Sequence, residues 1–164
     1  MKYLVSLLML TFLPLFAQSN CNDLRITTDN RTGDIRFECP LVFDMQFSKT
    51  LMKNGDSLIQ LYLQSMVPYT NTNEKGCTLF LSDGSTIEYP EQVITVTYKS
   101  SLLYKYNTTL NLSPDNINRL LSNSITDFKM HIHNSTEKPL LTKKKNATLL
   151  MNYVRCVVKG VVRK

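Results

Sequence analysis

His131 and His133 are the only two histidines in the chain, and their spacing is the pattern most open to chemistry. Residues two apart in a strand point to the same side, so the pair can offer two ring nitrogens to one metal ion such as zinc. A catalytic zinc site takes a third protein ligand; Asp127 on the same face, or Glu137 beyond the strand, is the nearest candidate. That set describes a metal-dependent hydrolase. Lys129 shares the face, however, and a row of Asp127, Lys129, His131 and His133 is also the ordinary solvent side of a half-buried strand, with no cofactor. Other routes to catalysis are thinner. There is no G-x-S-x-G elbow, and neither histidine has a Cys-His or Ser-His context. A paired-carboxylate hydrolase needs two acids about 5 to 9.5 Å apart. Asp44, Glu88 and Asp127 are available, and nothing in their spacing singles them out. The expectation is therefore a non-catalytic protein, with the His-x-His hydrolase as the alternative.

Charge points to a different kind of contact. The formal net charge is +6, yet residues 18–137 hold ten basic and thirteen acidic side chains, while 138–164 hold eight basic and none acidic. The run Lys143, Lys144, Lys145 lies in that basic C-terminal segment. Such a segment can hold a protein against an anionic glycan, lipopolysaccharide or an envelope protein, and it equally serves as a solvated face. Nucleic acid is excluded as the expected partner, because basic and aromatic residues are not interleaved as base stacking requires. Tyr62, Tyr69, Tyr98, Tyr104 and Tyr106 are of a type that stacks on sugars. Alternation places Tyr98, Tyr104 and Tyr106 on inward faces, where packing is the expected use.

The N-terminus reads MKYLVSLLMLTFLPLFA: an early lysine, an apolar run and a small residue at Ala17. This is the pattern of a cleavable export signal over residues 1–17. No later stretch reaches the roughly 20 apolar residues of a membrane-spanning helix, so no span is expected in the mature chain. Residues 18–164 are then one domain, long enough to bury a core. Four cysteines follow, Cys21, Cys39, Cys77 and Cys156, and an even number in an exported chain favours disulfides. The pairing expected is Cys21 with Cys39 and Cys77 with Cys156. Cys21 lacks the small-residue approach of a lipidated cysteine.

The elements that must position these residues are mostly strands. Gly76 to Tyr98 is organised around Asp83-Gly84, a dipeptide suited to a two-residue hairpin turn because Gly accepts positive φ. A two-residue loop sets Phe80 opposite Ile87 and Thr78 opposite Tyr89, with Phe80, Ile87 and Tyr89 on one core face. The apolar Cys77, Leu79 and Leu81 on the other side make the first strand central and the second nearer an edge. Pro90 is expected to end that ladder, with a further strand from Gln92 to Lys99. Earlier, a hairpin spans 24–39 around the turn residues Asp29 to Gly33. Leu41 to Lys49 and Ser57 to Val67 form a neighbouring pair, and 68–75 is a loop suited to contact. Leu102 to Leu112 alternates cleanly. Ser113, Pro114 and Asp115 then start a short helix ending near Asn123. A strand from Ile125 carries Phe128, Met130 and Ile132 inward, and a C-terminal stripe from Ala147 fits a helix to about Lys159, although its valines also suit a strand. The fold class is mainly β, an antiparallel sandwich with one short inserted helix and a C-terminal helix.

The Lys75-Gly76 strand start, the Ser82-Asp83-Gly84-Ser85 turn, Glu88-Tyr89-Pro90, the segment ITDFKMHIH and the segment YVRCVV together resemble small secreted β-rich proteins of Bacteroidetes. The resemblance covers about residues 76–158 and carries no catalytic residues over. It implies a secreted or periplasmic setting, with a binding or structural role in the bacterial envelope or on its surface. In that setting the five N-x-S/T sequons, at Asn30, Asn107, Asn111, Asn134 and Asn146, are incidental to an asparagine-rich chain.

Overall fold

Short alternating segments separated by turn formers leave the backbone little choice but paired strands, and only two stretches carry a helical stripe. The computed structural model describes residues 21–68, 74–100, 103–132 and 144–159, the first three of the last stretch by backbone alone. After a 3-10 turn at Cys21–Asp23, the strands are β1 (Arg25–Thr28), β2 (Ile35–Glu38), β3 (Met45–Leu51), β4 (Ser57–Val67), β5 (Lys75–Leu81), β6 (Thr86–Val93), β7 (Thr95–Ser100) and β8 (Leu103–Asn111). Helix α1 (Pro114–Ser122), strand β9 (Ile125–Met130) and helix α2 (Lys144–Lys159) follow. The leader expected over residues 1–17, most of the 68–75 loop and the end of the basic segment lie outside the described residues.

Two antiparallel sheets result, a six-stranded one in the order β1-β2-β3-β4-β8-β7 and a three-stranded one in the order β6-β5-β9. Their facing sides close over one core. Phe37, Met45, Phe47, Leu61, Leu63, Tyr106 and Leu110 of the large sheet are buried, as are Cys77, Leu79, Ile87, Phe128 and Met130 of the small one. Helix α2 extends the small sheet's layer beside β9 and lies over β3, burying Leu150, Tyr153, Val154 and Val157. Truncating one such fully buried leucine, Leu61 for example, costs about 2–5 kcal/mol. Helix α1 starts as its sequence requires: the Ser113 hydroxyl accepts from the Asn116 N–H at 3.2 Å, and Pro114 opens the first turn. Arg119 then ties it to the β5–β6 turn, donating to Ser85 Oγ and Thr86 O, both at 2.9 Å.

The mainly β sandwich, its inserted helix and its C-terminal helix match the expected class, and β5 is the centre strand with β6 at the edge. The hairpin register does not match. Gly84 N–H donates to Leu81 O and Leu81 N–H to Ser85 O, so the loop has three residues, Ser82, Asp83 and Gly84, with Gly84 at φ +82°. Leu79 therefore pairs with Ile87 and Phe80 with Thr86. One extra loop residue turns a strand over. Cys77, Leu79 and Leu81 face the core beside Ile87, and Phe80 faces out, 37% exposed. Nor does Pro90 end the ladder: β6 runs on to Val93 across a bulge, and the buried Ile94 carries the chain into β7 of the other sheet. Tyr98 is a second reversal. It sits on the inward side of β7 but is 61% exposed, set edge-on to Tyr104.

The disulfide pairing is also corrected. Cys21 is bonded to Cys156, joining the 3-10 turn to α2 across 135 residues, while Cys39 and Cys77 form no disulfide. Alternation put Cys39 inward, and inward it is. Its sulfur accepts the Phe47 N–H at 3.0 Å beneath α2, and burial pushes the thiol up to about 11. Cys77 lies fully buried at the centre of the small sheet. Periodicity says which side a cysteine takes and leaves open which element comes to cover it.

Candidate functional site

One face of the large sheet is covered by the small sheet and α2; no described element lies on the other. Residues directly opposite in a ladder share a face, so the register assigns this outer side. On β4 and β8 it places Gln60 beside Asn111, Tyr62 beside Thr109, Gln64 beside Asn107 and Met66 beside Lys105. Gln46 and Ser48 continue the rows on β3, and Thr95 and Thr97 on β7. The inward rows of these strands are mostly apolar and buried, and the outward ones are mostly amides and hydroxyls, with one aromatic ring, Tyr62, beside the exposed Met66 and Lys105. The same alternation that builds the core builds this surface.

At its middle the side chains are bonded to one another. Gln64 is only 9% exposed; its Nε2 donates to Asp44 Oδ1 at 2.8 Å, and its Oε1 accepts from the Tyr62 hydroxyl at 3.3 Å. The Lys105 ammonium stands 5.3 Å from the centre of the Tyr62 ring, within cation–π range. Beside them Gln60 Nε2 donates to Asn111 Oδ1 at 2.9 Å, and Asn107 Nδ2 to Thr95 O at 3.3 Å. A half-buried carboxylate in the turn before β3, an almost buried amide and a phenol on β4, and an ammonium on β8 thus form one chain.

The Asp44 end is held at a cost. Val42 and Met45 exchange both backbone hydrogen bonds, at 2.9 and 3.0 Å, leaving Phe43 and Asp44 as a two-residue loop with φ +50° and +61°. Loops of this kind favour Asn-Gly because both central residues need positive φ, a region that costs a residue bearing a Cβ roughly 1–2 kcal/mol. Phe43 offsets part of this by packing against the core. The Asp44 carbonyl also accepts the Gln64 N–H at 2.9 Å, so backbone and side chain fix one another. A strand from Leu41 was expected here; the turn breaks it, and Leu41 is exposed.

The residues with metal-binding potential have another arrangement. Asp127, Lys129 and His131 share the outer side of the small sheet, as their alternation implies, with Phe128, Met130 and Ile132 buried beneath. His131 N–H donates to Gly76 O, and its Nε2 is 3.0 Å from the Thr78 hydroxyl, which is itself 7% exposed. Its ring fills the space over Gly76, so that a Cβ built there would lie 2.7 Å from Nδ1. Among the described residues no three His, Cys, Asp or Glu side chains are gathered as a metal ion requires. His133 and Glu137 lie outside the described residues. Glu88 is on β6 and Asp127 on β9, with β5 between them, while Asp44 lies in the turn that leads into β3 of the other sheet. Of the lysine run, Lys143 is outside the described residues; Lys144 and Lys145 begin α2, where only their backbone is described. No described helix is long and apolar enough to cross a membrane.

Tyr62 and Asp44 were visible as candidates, one among the tyrosines and one among the acids. Gln64 and Lys105 were not, because nothing in a single strand marks them until β4 and β8 are paired. In comparisons with known proteins, no family model, no curated protein and no solved structure matches the chain.

Proposed function

We propose that the chain is an exported, non-catalytic binding protein of the bacterial envelope or surface, and that its contact surface is the outer face of the six-stranded sheet. One observation carries the reading: the side chains at the centre of that face are pre-positioned by hydrogen bonds running from Asp44 through Gln64 to Tyr62. A face that serves only solubility has no use for a strained turn that orients one carboxylate and a nearly buried amide. Side chains already fixed lose less freedom on meeting a ligand, which favours binding. Export is supported by the Cys21–Cys156 disulfide, since such bonds persist in oxidising compartments, and by the leader-like N-terminus.

The test is co-sedimentation of the purified mature protein with washed envelope particles from a Gram-negative cell. Pelleting that saturates, and that fails when Gln64 and Tyr62 are replaced by alanine, is the expected result. Protein that stays in the supernatant at every ratio defeats the reading, and so does turnover of a defined substrate that is lost in His131→Ala.

A further inference from the structure

Deepening that reading and resting on it, we infer that the ligand of the outer face is an acidic polysaccharide, laid across β4 and β8 with its negative groups at Lys105. The chemistry of the face selects this class. A side-chain amide presents donors and an acceptor on neighbouring atoms, which suits the adjacent hydroxyls of a sugar ring. Gln60 with Asn111 places one such amide pair on an outward rung, and Asn107 adds a further amide two outward rungs along the same ladder, past Tyr62 and Thr109, with the nearly buried Gln64 behind it. Repetition along a strand fits a polymer better than a compact ligand, which needs a concave and mostly apolar pocket. A protein partner would call for an apolar, aromatic centre. Here the one ring, Tyr62, already carries a lysine.

Charge decides between a neutral and an acidic chain. Among the described residues of this side, Glu38 is ion-paired with Arg36 at 2.7 Å, while Asp44, in the turn before β3, accepts from the uncharged Gln64 amide. Lys105 has no carboxylate partner among the described residues. Its ammonium is held over Tyr62 beside the amides, a positive point among hydrogen-bonding groups. A carboxylated or sulfated sugar supplies the complementary charge and the hydroxyls together.

The experiment is affinity electrophoresis of the mature protein through gels containing polygalacturonate, chondroitin sulfate or dextran, repeated with Lys105→Met, Asn107→Ala and the control Lys75→Met. Lys75 is an exposed lysine of the other sheet, so the control removes the same charge elsewhere. Retardation by at least one acidic polymer and not by dextran is expected, weakening with salt. Lys105→Met and Asn107→Ala should each weaken it at least 10-fold with unchanged melting, and Lys75→Met less than 2-fold. Equal retardation by dextran overturns the acidic assignment, and retardation untouched by Lys105→Met and Asn107→Ala overturns the location. No retardation by any of the three, from protein that still pellets with envelope particles, overturns the ligand class and leaves the broader reading standing. Failure in both assays removes both.

Discussion

Lys49, on the inward side of β3, donates from Nζ to the carbonyl of Val158 at 2.9 Å, joining two residues 109 apart in the chain. Val158 lies in the last turn of α2, where carbonyls lack a helical partner and the dipole favours a cation. A lysine in a core-facing row thus caps the helix that covers the row. Lys49→Met keeps the stem and removes the cap. We expect it to lower unfolding stability by about 1–2 kcal/mol, measured by urea titration; no change would mean that α2 is held by its apolar stripe alone.

The Cys21–Cys156 bond closes the longest loop the described chain offers. Replacing both cysteines by serine should cost roughly 3–5 kcal/mol, because the unfolded chain regains the freedom the cross-link removed. In the native wild type, alkylation should leave Cys39 and Cys77 unmodified, and after denaturation without reductant two thiols should appear by mass spectrometry. A count of zero or four would contradict the pairing.

Burial of Cys39 makes stability depend on alkaline pH. Its thiol ionises near 11 in the fold against 9.0 when unperturbed, so between those values the unfolded chain gives up a proton that the native state keeps. The stabilisation is complete below pH 9 and is lost as pH rises towards 11, about 2–3 kcal/mol in all. Burial raises Tyr89 and Tyr153 as well, adding a slope of the same sign above pH 10. Urea midpoints from pH 8 to 11 should therefore fall more steeply for wild type than for Cys39→Ala, and parallel curves would refute the assignment.

At Gly76, φ is +101°, and an added Cβ would meet the His131 ring at 2.7 Å and Pro90 O at 3.3 Å. Gly76→Ala should destabilise by about 2–3 kcal/mol, part backbone strain and part collision. Combining it with His131→Ala should recover only the second part in thermal melts. Full recovery would show that the backbone at 76 is unstrained.

The Phe43–Asp44 turn separates conformation from hydrogen bonding. Asp44→Asn tolerates positive φ and retains an acceptor for Gln64, so it should be close to neutral. Asp44→Gly relaxes the backbone while stranding the Gln64 amide, and Asp44→Ala does the second without the first. The expected order of stability is Asn, then Gly, then Ala, with Ala about 1–3 kcal/mol below wild type. If Ala matched wild type, the turn would owe nothing to Gln64.

How much of this could be read in advance depended on distance along the chain. The strand Ser57–Val67, the capped start of α1 at Ser113 and the inward Phe128, Met130 and Ile132 were all legible, since each follows from neighbours one to four residues away. The β5–β6 register was not. Ser-Asp-Gly-Ser accommodates a two-residue loop or a three-residue one, and choosing wrongly by one residue exchanged Phe80 for Leu79 at the core.

Local periodicity alone was enough for the class of fold, for which side of most strands is wet, and for the placing of one helix between two late strands. Pairing had to wait for the folded chain. That Cys21 meets Cys156, that Lys49 reaches Val158, that Tyr98 is left uncovered and that Asp44, Gln64, Tyr62 and Lys105 become neighbours all depend on which strands lie side by side. Alternation orients a residue relative to its own strand, whereas partners are chosen by how two sheets and a helix share one core, a condition no single segment contains.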